Sequence, residues 1–233
     1  MLNLPAEHYL NLIKENKPFS LSRFGDGEII AMFPNGMKAN CDGSAFIPEL
    51  SEPMKQIFRN QYDYYHCFLD CTFYVNGDLF AKFLKDTCPE MKFYYGEFWQ
   101  ELSVNSRIGE IISAISVYKP CFIGGSHLQH IIDINGMDEI YFIETPSSNS
   151  FNEIDRITKD ILQTYYLGVK MFCFSTGYTT KILIDRLYPI MGKDAFMIDF
   201  GSCFDPYCGK LSRDGMVIKG FEYFQQFTNY KLC

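Results

Sequence analysis

The stretch "VKMFCFSTGYTTKILIDRL" (169–187) decides the fold. An apolar run of strand length, 169–175, enters a Gly/Ser/Thr turn, and a segment of helix length runs from there to Leu187. The same rhythm recurs on both sides. "PCFIGG" (120–125) reads as a strand followed by a helix through Ile132. "EIYFIE" (139–144) reads as a strand followed by "TPSSNS" and a helix over about 151–166, and "AFMIDFG" (195–201) closes the series. Apolar strands alternating with amphipathic helices predict an α/β fold: a Rossmann-like, open, mostly parallel sheet with helices on both faces.

Toward the N-terminus the pattern loosens. A helix over 6–17 ends before Pro18, a strand follows over 19–24, and a short helix over 28–33. Further helices are expected over 48–60, 78–88 and 106–117, with strands over 65–70 and in "KFYYG" (92–96). The whole, 1–233, is read as one domain. Its less regular half (about 1–118) is expected to form a lobe packed against a Rossmann-like half (about 119–205).

Composition narrows the function. Hydrophobic residues make up 47% of the 233 and aromatics 17%, so the chain is not disordered and its core is rich in Phe and Tyr. A net charge of −7 argues against non-specific nucleic-acid binding. The longest apolar stretch, 111–125, is broken by Lys119 and Pro120, so no transmembrane segment is expected; no signal peptide is visible, and a cytoplasmic protein is predicted. Nine scattered cysteines without zinc spacing read as buried free thiols.

In an open α/β sheet, ligands bind beyond the carboxyl ends of the strands. That rule selects "GGSH" (124–127), "ETPSSN" (144–149), "STGYTT" (175–180) and "DFGSCFD" (199–205). A helix N-terminus attracts phosphate through its free N–H groups. Gly177 lets backbone approach such a ligand, and Ser175, Thr176 and Thr179 can donate hydroxyl bonds, although Ser and Thr also serve as ordinary caps there. A fifth segment, "LSRFGDGE" (21–28), sets Asp26 and Glu28 one residue apart around Gly27. Two such carboxylates suit a hard cation, Mn²⁺ or Mg²⁺, that bridges to substrate phosphates. Arg23 would pair with these acids or with a phosphate.

Several segments together resemble the GT-D glycosyltransferases. Their strand, Arg-aromatic-Gly-Asp-Gly-Glu, then helix is similar to Arg23, Phe24, Gly25, Asp26, Gly27 and Glu28. Their Pro-Ser-Lys-Asn-Ala-Phe resembles Pro146, Ser147, Ser148, Asn149, Ser150 and Phe151. Their Gly-Pro-Thr-Ala before a helix resembles Gly177, Tyr178, Thr179 and Thr180, with Asp185 and Leu187 near that helix's end. Their Asp-Ile-Gly-His is met by Asp199, Phe200, Gly201 and Ser202. The four segments keep the family's order over about 19–205. Ser148, Tyr178 and Ser202 stand where that family has Lys, Pro and His, and its Gly-Val-Gly-Asn-Asp-type loop is reduced to "GGSHLQH" (124–130).

The resemblance implies a transferase that moves a sugar from a nucleotide donor (UDP-, GDP- or dTDP-linked) to a glycan or glycoprotein hydroxyl, with Asp26 and Glu28 serving a divalent metal. Loops 145–151 and 175–180 would grip the base, ribose and diphosphate. An inverting reaction needs a carboxylate base. Asp26 and Glu28 are the first candidates, Asp199 and Asp205 follow, and His127 is the nearby imidazole, expected to cap the helix at 126. The aromatics of "FYYGEFW" (93–99) suit a core better than an acceptor platform, with Glu97 expected to be buried among them. Two other readings share this sheet edge: a phosphosugar isomerase or phosphoribosyl transferase, needing no nucleoside, and a non-catalytic nucleotide-binding protein, indifferent to loss of Asp26 or Glu28.

Overall fold

The computed structural model describes residues 1–39, 43–131 and 140–220. Seven strands form one sheet: β1 (Ser20–Phe24), β2 (Tyr65–Phe68), β3 (Phe93–Tyr95), β4 (Cys121–Gly124), β5 (Tyr141–Glu144), β6 (Met171–Ser175) and β7 (Phe196–Asp199). Their order is β3-β2-β1-β7-β6-β4-β5, and every pairing is parallel. The fold is therefore an open α/β sheet, as the alternating pattern predicts. The less regular N-terminal half is not a lobe beside the sheet. It supplies β1, β2 and β3, and β1 lies directly against β7.

Parallel strands are covered on both sides, so their residues feed two separate cores by alternation. In β6, Phe172 and Phe174 enter one core while Met171 and Cys173 enter the other. β7 repeats this with Met197 against Phe196 and Ile198. One face is closed by α2 (Asp26–Met32), α3 (Ser51–Asn60), α4 (Gly77–Thr87), α7 (Ile154–Tyr166) and α8 (Thr179–Met191). The other is closed by α1 (Ala6–Lys14), α5 (Phe98–Val104), α6 (Ile108–Ser116) and, through Met216, α9 (Asp214–Lys219).

Several boundaries shift. α8 continues past Leu187 to Met191, carrying Pro189 in its last turn. The segment after β4 opens as a 3-10 turn, Ser126–Gln129, and is α-helical at His130 and Ile131; the end of the expected helix at Ile132 and the first residue of the expected strand at Glu139 lie outside the described residues. α5 is an element that the sequence pattern does not predict: Phe98 and Trp99 pack in the core beside Tyr9 instead of facing a ligand. Glu97 precedes α5 half-buried and accepts the Asp70 N–H at 3.2 Å, so it does not sit sealed among aromatics. The described cysteines are free thiols; Cys41 and Cys233 lie outside the described residues.

Candidate active site

Because β1 neighbours β7, β7 neighbours β6 and β6 neighbours β4, four strand ends stand in a row along one edge. Their loops enclose a cleft of about 490 Å³. Gly25–Glu28, Gly125 with His127, Ser175–Gly177 and Gly201–Ser202 all line it. The connection after β6 returns to β7, whereas that after β4 leads outward to β5, so the cleft spans a topological switch point.

The acidic doublet opens α2, and successive helical residues turn by about 100°, so Asp26 and Glu28 diverge by about 200° around the helix. Glu28 folds back on its own helix start: Oε2 accepts the Gly25 N–H at 2.8 Å, satisfying one of the free donors there. Its other oxygen, Oε1, meets Lys181 Nζ at 3.0 Å, and the same ammonium lies 3.0 Å from Asp199 Oδ2. Lys181 also donates to the Gly177 carbonyl at 3.1 Å. Burial works against the charge on Lys181, but Asp199 and Glu28 outweigh it and hold the ammonium's pKa above the ordinary lysine value. Asp26 is less committed. Its Oδ1 accepts the Gly27 N–H at 2.9 Å, and it lies beside Cys71, whose thiol burial pushes up to about 11.

Arg23 ties the same strands together. Its backbone N–H donates to Asp199 Oδ2 at 3.0 Å, and Nη2 and Nη1 donate to the Phe200 and Gly96 carbonyls at 2.8 and 3.4 Å. Gly201 makes this possible: its φ is +56°, and a Cβ there would stand 2.1 Å from Arg23 Nη2. Arg23 is only 6% exposed, and its Nε is buried without a partner.

The turn into α8 presents Ser175, Thr176 and Gly177 to the cleft. Thr180 Oγ1 accepts the Thr176 N–H at 3.1 Å and lies 2.8 Å from Thr176 Oγ1, so Thr180 fastens the turn that leads into the helix, whose N-terminus has no side-chain cap. Ser175 Oγ is buried without a partner at the start of this turn. Opposite, His127 Nε2 lies 3.0 Å from Asp205 Oδ1, and Ser212 Oγ donates to Asp205 Oδ2 at 2.5 Å. His127 therefore does not cap the turn at 126, which has no side-chain cap. It reaches across to the loop after β7.

This architecture matches known structures. A protein of the domain of unknown function 1792, described as having a distinct glycosyltransferase fold, aligns with a TM-score of 0.61 at 20% identity, covering 89% of this chain and 80% of its own. A new glycosyltransferase of the same domain class from Streptococcus sanguinis aligns with a TM-score of 0.58 at 17% identity, covering 89% and 83%. The chain has their fold. No protein-family model and no curated protein matches it by sequence.

Of the expected site residues, Arg23, Gly25, Asp26, Gly27, Glu28, His127, Ser147, Ser175, Thr176, Gly177, Ser202 and Asp205 line the cleft together. The other four stand behind its wall. Asn149 Oδ1 accepts the Ala45 N–H at 2.8 Å, and Tyr178 Oη donates to the Ala45 carbonyl at 2.5 Å, so both fasten the segment that carries Ser44 to the cleft. Thr179 is 1% exposed, and Asp199 is sealed beneath Arg23 and Lys181. Lys181, Lys210, Ser212 and Arg213 also line the cleft, although the sequence alone does not single them out. Lys181 directly follows "STGYTT" (175–180), but a lysine early in a helix ordinarily reads as a solvated side chain. Among the described residues no three His, Cys, Asp or Glu side chains gather as a metal cage, and no helix is long and apolar enough to cross a membrane.

Proposed function

We propose that the chain is a glycosyltransferase moving a sugar from a nucleoside-diphosphate donor to a hydroxyl of a glycan or glycoprotein, working in the cytoplasm. The observation that supports this most is convergence: one cleft joins the acidic start of α2, the N-terminal turn of α8 and the cations Arg23, Lys181, Lys210 and Arg213. A diphosphate suits such a wall, because helix N–H groups and fixed positive charge favour anionic oxygens. Ser175 and Thr176 add hydroxyls at the same turn.

The residues fit a divalent cation only in part. Both oxygens of Glu28 are engaged, one by the Gly25 N–H and one by Lys181. Asp26 has an oxygen to offer, and Mn²⁺ or Mg²⁺ often binds through one carboxylate plus substrate phosphates. Asp26 would hold the ion together with the donor diphosphate, and when bound the ion would offset charge growing on the leaving group. Glu28 acts differently. It holds Lys181 over the floor of the cleft, so that positive charge is fixed there before substrate arrives.

A thermal-shift panel of UDP-glucose, GDP-mannose and dTDP-glucose, with and without Mn²⁺, followed by an assay of nucleotide release, tests the reading. Stabilisation by at least one sugar nucleotide with slow release of its nucleoside diphosphate is expected. Stabilisation by ribose 5-phosphate or fructose 6-phosphate but by no sugar nucleotide would favour a phosphosugar enzyme and overturn it.

A further inference from the structure

We infer that His127 is the proton acceptor of the reaction and that Asp205 is its positioning partner; this rests on the glycosyltransferase reading. His127 leaves β4 in the short turn Ser126–Gln129, and Asp205 opens the turn Asp205–Cys208 after β7. The two come together at 3.0 Å on the cleft wall. Asp205 is fixed from several sides: its N–H donates to the Ser202 carbonyl at 3.1 Å, its own carbonyl accepts the Lys210 N–H at 2.9 Å, and Oδ2 accepts Ser212 Oγ. It is 6% exposed, so its orientation is set before any ligand binds.

A carboxylate facing Nε2 selects the tautomer with the proton on Nε2 and leaves the lone pair on Nδ1. No hydrogen bond engages Nδ1 among the described residues. It lies against Gly125, where a Cβ would stand 2.9 Å away, and both residues line the cleft. A side chain at position 125 would crowd Nδ1, so Gly125 leaves that edge of the imidazole uncovered. The carboxylates at the opposite side are poorer candidates, because Glu28 is paired with Lys181 and Asp199 lies sealed behind the wall.

In the step itself the acceptor O–H bond breaks and its proton passes to Nδ1. The oxygen's electron pair forms the bond to the anomeric carbon. The bond from that carbon to the diphosphate oxygen breaks, and its electron pair leaves with the nucleoside diphosphate. The imidazolium so formed faces Asp205, which stabilises the new charge.

Water can stand in for the unidentified acceptor, so the test follows hydrolysis of whichever of UDP-glucose, GDP-mannose or dTDP-glucose stabilises the protein. His127→Gln keeps an N–H for Asp205 but cannot take a proton. It should bind the donor with the affinity of the wild type and lose about 10²-fold or more in kcat. Exogenous imidazole should restore turnover to His127→Ala, which a purely structural defect would not allow. Asp205→Asn should lower kcat while leaving donor affinity unchanged. Turnover by His127→Gln within twofold of wild type overturns the assignment, and so does loss of its donor binding, which would make His127 a donor contact. If the wild type neither binds nor hydrolyses any sugar nucleotide, the glycosyltransferase reading falls first and this one with it.

Discussion

Replacing Lys181 by Met tests the electrostatic core of the site. Its ammonium is 3.0 Å from both Glu28 and Asp199, and the lysine side chain is 7% exposed against 10% and 1% for its partners. Removing one member of a buried ion cluster leaves the other charges without compensation, which typically costs about 3–5 kcal/mol. For a chain of this length each kcal/mol moves Tm by about 2–4 °C, so a fall on the order of 10 °C is expected. The pairing raises the pKa of Lys181, so its contribution is complete below the ordinary lysine value and is lost only as pH rises through the elevated one. Between pH 6 and 9 the wild-type interaction is therefore constant, and the deficit can be measured anywhere in that range. Urea unfolding of the wild type, Lys181→Met, Glu28→Gln and the double variant completes a cycle. The double variant should recover part of the loss, with a coupling of at least about 1 kcal/mol. A Lys181→Met midpoint within 1 °C of wild type, or strict additivity in the cycle, would refute the cluster as described.

Asp185 offers a pH test away from the cleft. Burial pushes its carboxyl up to about 6, against the stabilising Asn60 Nδ2 bond at 2.7 Å. A raised carboxyl pKa means stability that is full below about pH 4 and lost as pH rises through 6, at most about 3 kcal/mol for roughly two units. Asp185→Asn should flatten this loss, as urea midpoints at pH 4.5 and 7.5 would show. Gly201→Ala places a methyl 2.1 Å from Arg23 Nη2 at a positive φ, and should cost about 2 kcal/mol by thermal denaturation while weakening donor binding. Asp26→Asn should abolish the Mn²⁺-dependent part of the donor-induced thermal shift and keep the metal-free part. An undiminished Mn²⁺ increment would remove Asp26 from the metal.

Strands were legible wherever burial on both faces made them continuous apolar runs, as in "VKMFCFS" and "AFMIDFG". Elements with mixed signals were not. α5 buries Phe98, Trp99, Leu102 and Ser103 on one side, but an aromatic cluster beside a glycine carries no clear helical period in seven residues. The segment after β4 carries Ser, His and Gln like a helix start, but it enters the helical residues His130 and Ile131 through a 3-10 turn, Ser126–Gln129. Polar loop residues were found as a group and mis-sorted singly. Asn149 and Tyr178 look like ligand contacts because they can hydrogen-bond, but the nearest groups needing those bonds belong to Ala45.

What the sequence could not yield was strand order, and the site depends on it. Parallel strands of similar length offer similar pairing edges, so nothing in "LSRFGDGE" states that β1 will lie beside β7, 176 positions from Arg23 to Asp199. Once it does, the rest follows with little freedom. The Arg23 N–H meets Asp199 across the pair, Gly201 must lack a side chain so that the guanidinium can pass, and α8, arriving from β6 on the next position, brings Lys181 between the carboxylates. The cluster and the adjacency therefore stand or fall together. A sheet with β1 elsewhere would take Glu28 from Lys181 and the Arg23 N–H from Asp199, removing two of the contacts that offset the burial of these charges.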